Sequence, residues 1–270
     1  MELTANLWAS VLRFEKWHGL GNDFVVVEAS ELPGTTDDAT ISALCDRRRG
    51  VGADGVLIVD RSGAEPSMIV RNADGSRPEM CGNGLRCVLG YLLGGTSELH
   101  VSVRTDAGLL ACDVWRAAGE VIAQIEMGRA RMESALELGF DGEAWSFERV
   151  NMGNPHAIVF RRPSDALIER LGPAVEHAVP GGTNVEFVTA ESSGLTIRVW
   201  ERGVGFTDAC GTGACAVVAL ACRSGRAPFD QWITARLPGG TLDVKVASET
   251  LAVTLRGAAT HVFTGSTHLA

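Results

Sequence analysis

The chain repeats itself, and a repeat fixes an architecture before any strand or helix is assigned. Cys81-Gly82-Asn83-Gly84 leads into the apolar stretch Leu85 to Leu93, and Cys210-Gly211-Thr212-Gly213 leads into Ala214 to Cys222. Each reads as a glycine turn opening a helix. The flanking landmarks keep step: Asn72 precedes Cys81 by nine residues, and Glu201 precedes Cys210 by nine. Further upstream, Asp54 lies 27 residues before the first cysteine and Asn184 lies 26 before the second, while Asn22 and Asn154 lie 59 and 56 before theirs. Four ordered landmarks shared by two halves imply duplicated α/β units facing one another across a pseudo-twofold axis.

Between the landmarks the pattern is mostly strand-like. Alternating or β-branched runs occur at Phe24 to Val27, Val56 to Val59, Leu99 to Val103, Thr196 to Trp200 and Leu251 to Leu255. Pro33-Gly34, Gly94-Gly95, Pro180-Gly181-Gly182 and Pro238-Gly239-Gly240 read as turns. Besides the two cysteine-led helices, Ala39 to Arg48 and Asp165 to Ala178 are predicted helical, so the class is mixed α/β, or α+β. The first half's pattern runs out near residue 122.

The 270 residues are 46% hydrophobic and 21% charged, which is ordinary for a globular protein. With 33 acidic against 24 basic side chains, the charge balance argues against a nucleic-acid or anionic-membrane surface. Residues Met1 to Trp8 lack the basic region and apolar core of a secretory signal, and no apolar run is long enough to span a bilayer, so a cytoplasmic protein is expected. Seven cysteines, at 45, 81, 87, 112, 210, 215 and 222, do not form the framework of a small secreted domain. No pair has zinc-ligand spacing, so no metal is expected.

A thiol is useful to the extent that it can form thiolate, and a helix N-terminus favours that anion through its unpaired N–H groups and dipole. The glycines let backbone amides approach a bound carboxylate closely. Racemisation requires a proton taken from one face of a carbon and another delivered to the opposite face, which two symmetric groups can supply. No lysine-based pyridoxal motif is evident to delocalise the carbanion, so no cofactor is expected and stabilisation must be electrostatic. One donor aimed at a developing oxyanion is worth about 3 kcal/mol. A closing movement that excludes water would add to it.

Six blocks carry a resemblance: His18-Gly19-Leu20-Gly21-Asn22-Asp23-Phe24, Asn72-Ala73-Asp74-Gly75-Ser76, Cys81-Gly82-Asn83-Gly84, Gly153-Asn154-Pro155-His156, Glu201-Arg202-Gly203 and Ala209-Cys210-Gly211-Thr212-Gly213. In this order they resemble the diaminopimelate epimerase family, over roughly residues 13 to 270. The resemblance implies two related halves, each a sheet wrapped around a central helix, with the active site in the cleft between them. The C-terminal strand would return to the first half, giving 1–122 plus 262–270 and 123–261. It further implies that LL- and meso-diaminopimelate are interconverted, in lysine and peptidoglycan precursor synthesis, by a homodimer without a cofactor.

Carried over position by position, Cys81 and Cys210 would be the two bases, and Gly82, Asn83, Gly211 and Thr212 would hold the reacting carboxylate. Asn22, Asn72, Asn154, Asn184 and Arg202 would line the substrate pocket, and His156 and Glu201 would assist thiol deprotonation or bind the amine. The sequence departs from the family pattern at Gly55, at Arg71 and in a first dozen residues without counterpart. Racemisation of another amino acid, such as histidine, is the alternative.

Cys45, Cys87, Cys112, Cys215 and Cys222 read as packing residues, since cysteine is among the most buried types. His18 reads as a turn residue, and the histidines at 100, 177, 261 and 268 carry no signal. Arg202, next to Glu201 at a landmark, suits bidentate capture of a second carboxylate. The run Arg47-Arg48-Arg49 is expected at a solvated helix end.

Overall fold

The computed structural model describes residues 11–33, 36–78 and 80–268. The chain separates into two compact units, one taking the described residues up to Ala123 and from Ala258 onward, the other Gln124–Gly257. The expectations placed on residues 1–10 and on Gly34 lie outside the described residues.

The first unit runs β1 (Val11–Gly19), β2 (Asn22–Glu28), α1 (Asp38–Cys45), β3 (Gly55–Asp60), β4 (Ser67–Asn72), α2 (Gly82–Leu93), β5 (Glu98–Thr105) and β6 (Gly108–Ala117), with β7 (Glu120–Arg129) leading onward. The second continues with β8 (Arg131–Phe140), β9 (Glu143–Asn151), β10 (Pro155–Val159), α3 (Asp165–Ala178), β11 (Asn184–Glu191), β12 (Gly194–Glu201) and β13 (Gly205–Thr207). It ends with α4 (Gly211–Arg223), β14 (Trp232–Leu237), β15 (Gly240–Val246) and β16 (Ala252–His268). Residues 252–257 of β16 belong to the second unit, where Val246 pairs with Val253; residues from Ala258 belong to the first, where Val11 pairs with His268.

The repeat is a repeat of pairings. In the first unit β2 and β3 are parallel, with Phe24 opposite Gly55, and β3 and β4 are antiparallel, with Gly55 opposite Asn72. In the second, β10 and β11 are parallel, with His156 opposite Asn184, and β11 and β12 are antiparallel, with Val185 opposite Trp200. These registers equate Gly55 with Asn184 and Phe24 with His156. They correct the sequence alignment of Asp54 with Asn184 by one position, and a one-residue slip in a strand reverses the face a side chain occupies.

α2 packs against β1, β2, β3, β4 and β6, and α4 against β9, β10, β11, β12, β14 and β15, so each sheet wraps a central helix as expected. Both helices are apolar nearly all round, which is the pattern of a helix surrounded by sheet. Ten of the twelve α2 residues and eleven of the thirteen α4 residues are buried. The outer helices are amphipathic and have conventional oxygen caps: Asp37 accepts from the Thr40 amide, and Ser164 from that of Leu167. α1 buries Ile41 and Leu44 against Val25, Val27 and Val56, and α3 buries Ile168, Leu171 and Val175 against Phe147, Val185 and Phe187. Each such side chain contributes about 1.5–3 kcal/mol of transfer free energy.

Two expectations are corrected. α1 ends at Cys45 rather than Arg48, because the Asp46 carboxylate accepts from the amides of Arg48 and Arg49 and folds the chain into a turn. The first dozen residues are not wholly an extension, since Val11 and Leu12 open β1 and Leu12 is fully buried.

Candidate active site

The central helices have an uncommon N-cap. Cys81 caps α2 with φ −138° and ψ 109°, and Cys210 caps α4 with φ −132° and ψ 106°. Each Sγ accepts the amide of the residue three positions on, Gly84 or Gly213, at 3.3 Å. Each thiol therefore takes the place of an oxygen cap, against N–H groups that favour negative charge on sulfur. The glycine three positions on lies in close contact with a side chain of the sheet. A Cβ on Gly84 would stand 2.9 Å from Leu57 Cδ2, and one on Gly213 would stand 2.7 Å from Glu186 Oε1 and 3.2 Å from Cys210 Sγ.

In the first unit, Asn83 donates from Nδ2 to Asn22 Oδ1 at 3.1 Å, and Asn22 donates to Asp54 Oδ2 at 2.8 Å. The Asp23 amide shares that carboxylate at 3.1 Å. Arg47, expected at a solvated helix end, instead bridges Asp23 at 2.6 Å and Asp54 at 2.7 Å, and the buried Lys16 pairs with Asp23 at 2.5 Å. Below the cysteine, the fully buried Arg86 donates to Asn83 Oδ1 and to the Ala258 carbonyl, each at 3.1 Å. Asn72 donates to Ser76 Oγ at 2.9 Å and lies beside Gly55 across the β3–β4 pair.

In the second unit, Cys210 Sγ lies 3.6 Å from Thr212 Oγ1, which accepts from Asn154 Nδ2 at 3.2 Å. Asn154 Oδ1 is 3.0 Å from His156 Nε2, and His156 Nδ1 is 2.7 Å from Glu186 Oε1. His156 and Glu186 are both fully buried. Asn184 joins two loops, donating to the Pro155 carbonyl and accepting from the Arg202 amide, both at 3.0 Å. The exposed guanidinium of Arg202 reaches the Gly181 carbonyl at 3.2 Å.

Burial drives the Cys210 thiol well above its ordinary range, and the carboxylates of Glu201 and Glu186 push the same way. The Thr212 and Gly213 hydrogen bonds oppose them. Burial, aided by Glu186, also raises Glu201. Among the described residues no group of three or more His, Cys, Asp or Glu could hold a metal ion, and no helix is long and apolar enough to cross a membrane. The five other cysteines are buried.

Sequence reasoning missed Glu186, Asp54 with Arg47, and Arg86. The signal for Glu186 was available: it stands two residues beyond Asn184 and so shares its face of the strand. The other two depend on where a turn and a distant carbonyl fall.

Over most of its length the chain shares its fold with the hydroxyproline epimerase from Agrobacterium vitis, with a TM-score of 0.74 at 15% identity, covering 97% of this chain and 94% of that one. The fold is thus one that an amino-acid epimerase uses. The sequence pattern described as diaminopimelate epimerase matches residues 14–133 and 149–262. The diaminopimelate epimerase of Desulforudis audaxviator is 41% identical over 279 residues, covering 94% of this chain and 98% of that one. That of Synechocystis is 38% identical over 283 residues, covering 96% and 99%. The chain belongs to the diaminopimelate epimerase family.

Proposed function

We propose that the chain interconverts LL- and meso-2,6-diaminopimelate by two-base proton transfer at the α-carbon, a step toward lysine and peptidoglycan precursors. The observation that carries this reading is the equivalence of Cys81 and Cys210: the same cap position, near-identical backbone angles and the same amide-to-sulfur bond in two repeats. In one direction a thiolate removes the α-proton and the other cysteine, as thiol, delivers a proton to the opposite face. In the reverse direction the roles exchange, so atoms and charge balance without a cofactor.

The carboxylate next to the reacting carbon is held by the backbone amides of Gly82, Asn83, Gly211 and Thr212. They stabilise the charge that moves onto its oxygens when the proton leaves. Asn22, Asn72, Asn154 and Asn184 line the pocket, and Arg202 takes the distal carboxylate. On the Cys210 side His156 assists the thiol, and Glu201, whose negative charge opposes thiolate there, receives the amine. The enzyme works as a cytoplasmic homodimer.

The test is incubation of reduced protein with LL-diaminopimelate in deuterated water. Deuterium is expected at the α-carbon as the isomers equilibrate; neither exchange nor interconversion would sink the assignment.

A further inference from the structure

The two cysteine-led helices are equivalent in backbone but not in what lies behind them. Phe24 and Leu57 occupy, by strand register, the positions that His156 and Glu186 occupy in the second unit. An ionisable pair thus replaces two apolar side chains behind one cysteine only. Both members are fully buried, which is costly unless it serves a purpose. Glu186 Oε2 has no hydrogen-bond partner among the described residues, so the carboxylate spends its one bond on His156.

The hydrogen bonds around His156 have a definite direction. Nε2 faces the acceptor Asn154 Oδ1 and so carries hydrogen, and Nδ1 faces Glu186 Oε1; with Glu186 ionised, Nδ1 carries hydrogen as well. The Asn154 amide group then points to Thr212 and donates to its Oγ1. With that lone pair taken, the single Thr212 hydroxyl hydrogen is free to turn toward Cys210 Sγ. The ionisable groups bearing on this assembly are Glu186 on β11, Glu201 on β12, His156 on β10 and Cys210 at the start of α4.

We propose that Glu186 is a positioning residue that keeps His156 doubly protonated, so that the relay His156–Asn154–Thr212 always presents a hydrogen-bond donor to the sulfur of Cys210. The relay adds a side-chain donor to the amide that already bonds the Cys210 sulfur. At the register-equivalent positions of the first unit stand Phe24 and Leu57, which cannot form such a pair. This inference rests on the reading of Cys210 as a proton-transfer group, but its structural part can be tested without substrate.

The experiment is nitrogen-15 NMR of the imidazole rings in the intact protein, with His156 assigned by its loss in His156→Gln. At neutral pH both nitrogens of His156 are expected to be of the protonated type. In Glu186→Gln one becomes pyridine-like, kcat falls on the order of tenfold, as where an outer partner orienting a histidine is lost, and KM hardly moves. Glu186→Asp, which keeps the charge, is expected to retain the doubly protonated signal. A pyridine-like nitrogen on His156 in the unaltered protein overturns the proposal, as does a Glu186→Gln spectrum that keeps both N–H groups. If Glu186→Gln does not fold, the spectrum of the unaltered protein decides alone. Absence of α-hydrogen exchange in the unaltered protein would overturn the functional reading and leave the relay standing.

Discussion

Leu57 and Glu186 occupy the same place in the two repeats, each lying against the glycine three residues beyond its cysteine. One is apolar and the other ionisable, so the two cysteines differ in electrostatic surroundings while sharing a backbone. Glu201 adds a second carboxylate on the Cys210 side. Because a nearby anion disfavours thiolate, Glu201→Gln lowers the pH at which Cys210 becomes reactive. Alkylation of Cys210 followed by mass spectrometry across a pH series is expected to show its midpoint moving down. A midpoint that moves up would mean that Glu201 supports the thiolate.

The two-base reading requires each cysteine for turnover. Removing one positioned acid–base group costs on the order of 10²- to 10⁴-fold in rate, so Cys81→Ala and Cys210→Ala are each expected to lose at least 100-fold in interconversion. The double variant should fall little further, since the two act as a unit. Polarimetry of the purified variants checks this.

Arg202 should act on binding rather than on chemistry. A charge-assisted hydrogen bond is worth about 1.5–3 kcal/mol, so Arg202→Ala is expected to raise KM for diaminopimelate on the order of 10- to 100-fold with little change in kcat. Steady-state kinetics that instead showed an unchanged KM would remove Arg202 from the distal carboxylate.

Acid should loosen the turn at Asn22. Burial opposes ionisation of Asp23, yet hydrogen bonds from Arg47 and Lys16 prevail and bring its pKa from 3.8 to about 2. A carboxylate depressed in the folded state contributes stability that is present above pH 3.8 and is lost as the pH falls toward 2. Asp23→Asn is therefore expected to flatten the dependence of stability on pH in that window, measured by urea unfolding at a series of acid pH values.

Arg86 is expected to matter for stability more than its distance from any reacting atom implies. Arg86→Met keeps the aliphatic stem but removes the hydrogen bonds to the Ala258 carbonyl and to Asn83 Oδ1. Loss of a buried polar network of this kind costs about 2–4 kcal/mol. The midpoint of denaturant unfolding, with its slope unchanged, measures it.

Much of this architecture was legible in the residues. Cysteine followed by Gly-x-Gly, recurring at matched distances from Asn72 and Glu201, marked both central helices, and apolar periodicity located β2, β3, β5 and β12. What escaped was pairing information. Asp54 and Asn184 seemed equivalent by spacing, and only the parallel registers of β2–β3 and β10–β11 show that Gly55 is the counterpart. Arg47 reads as a helix-end cation because apolar periodicity does not reveal that the turn at Asp46 ends the helix at Cys45, three residues short of Arg48. Arg86 finds its acceptor 172 positions away, beyond any local pattern.

The last strand has a consequence for how the chain is made. The partners of β1 along Val11 to His18 lie between Thr260 and His268, which are synthesised only after the whole of the second unit. The first unit, though begun first, keeps one edge of its sheet uncovered until the chain beyond the second unit has been made. The second, drawn from the continuous segment Gln124–Gly257, has all its residues in hand earlier. Chains stalled or clipped before residue 260 thus carry an open strand edge, the kind of surface that recruits chaperones and seeds aggregation.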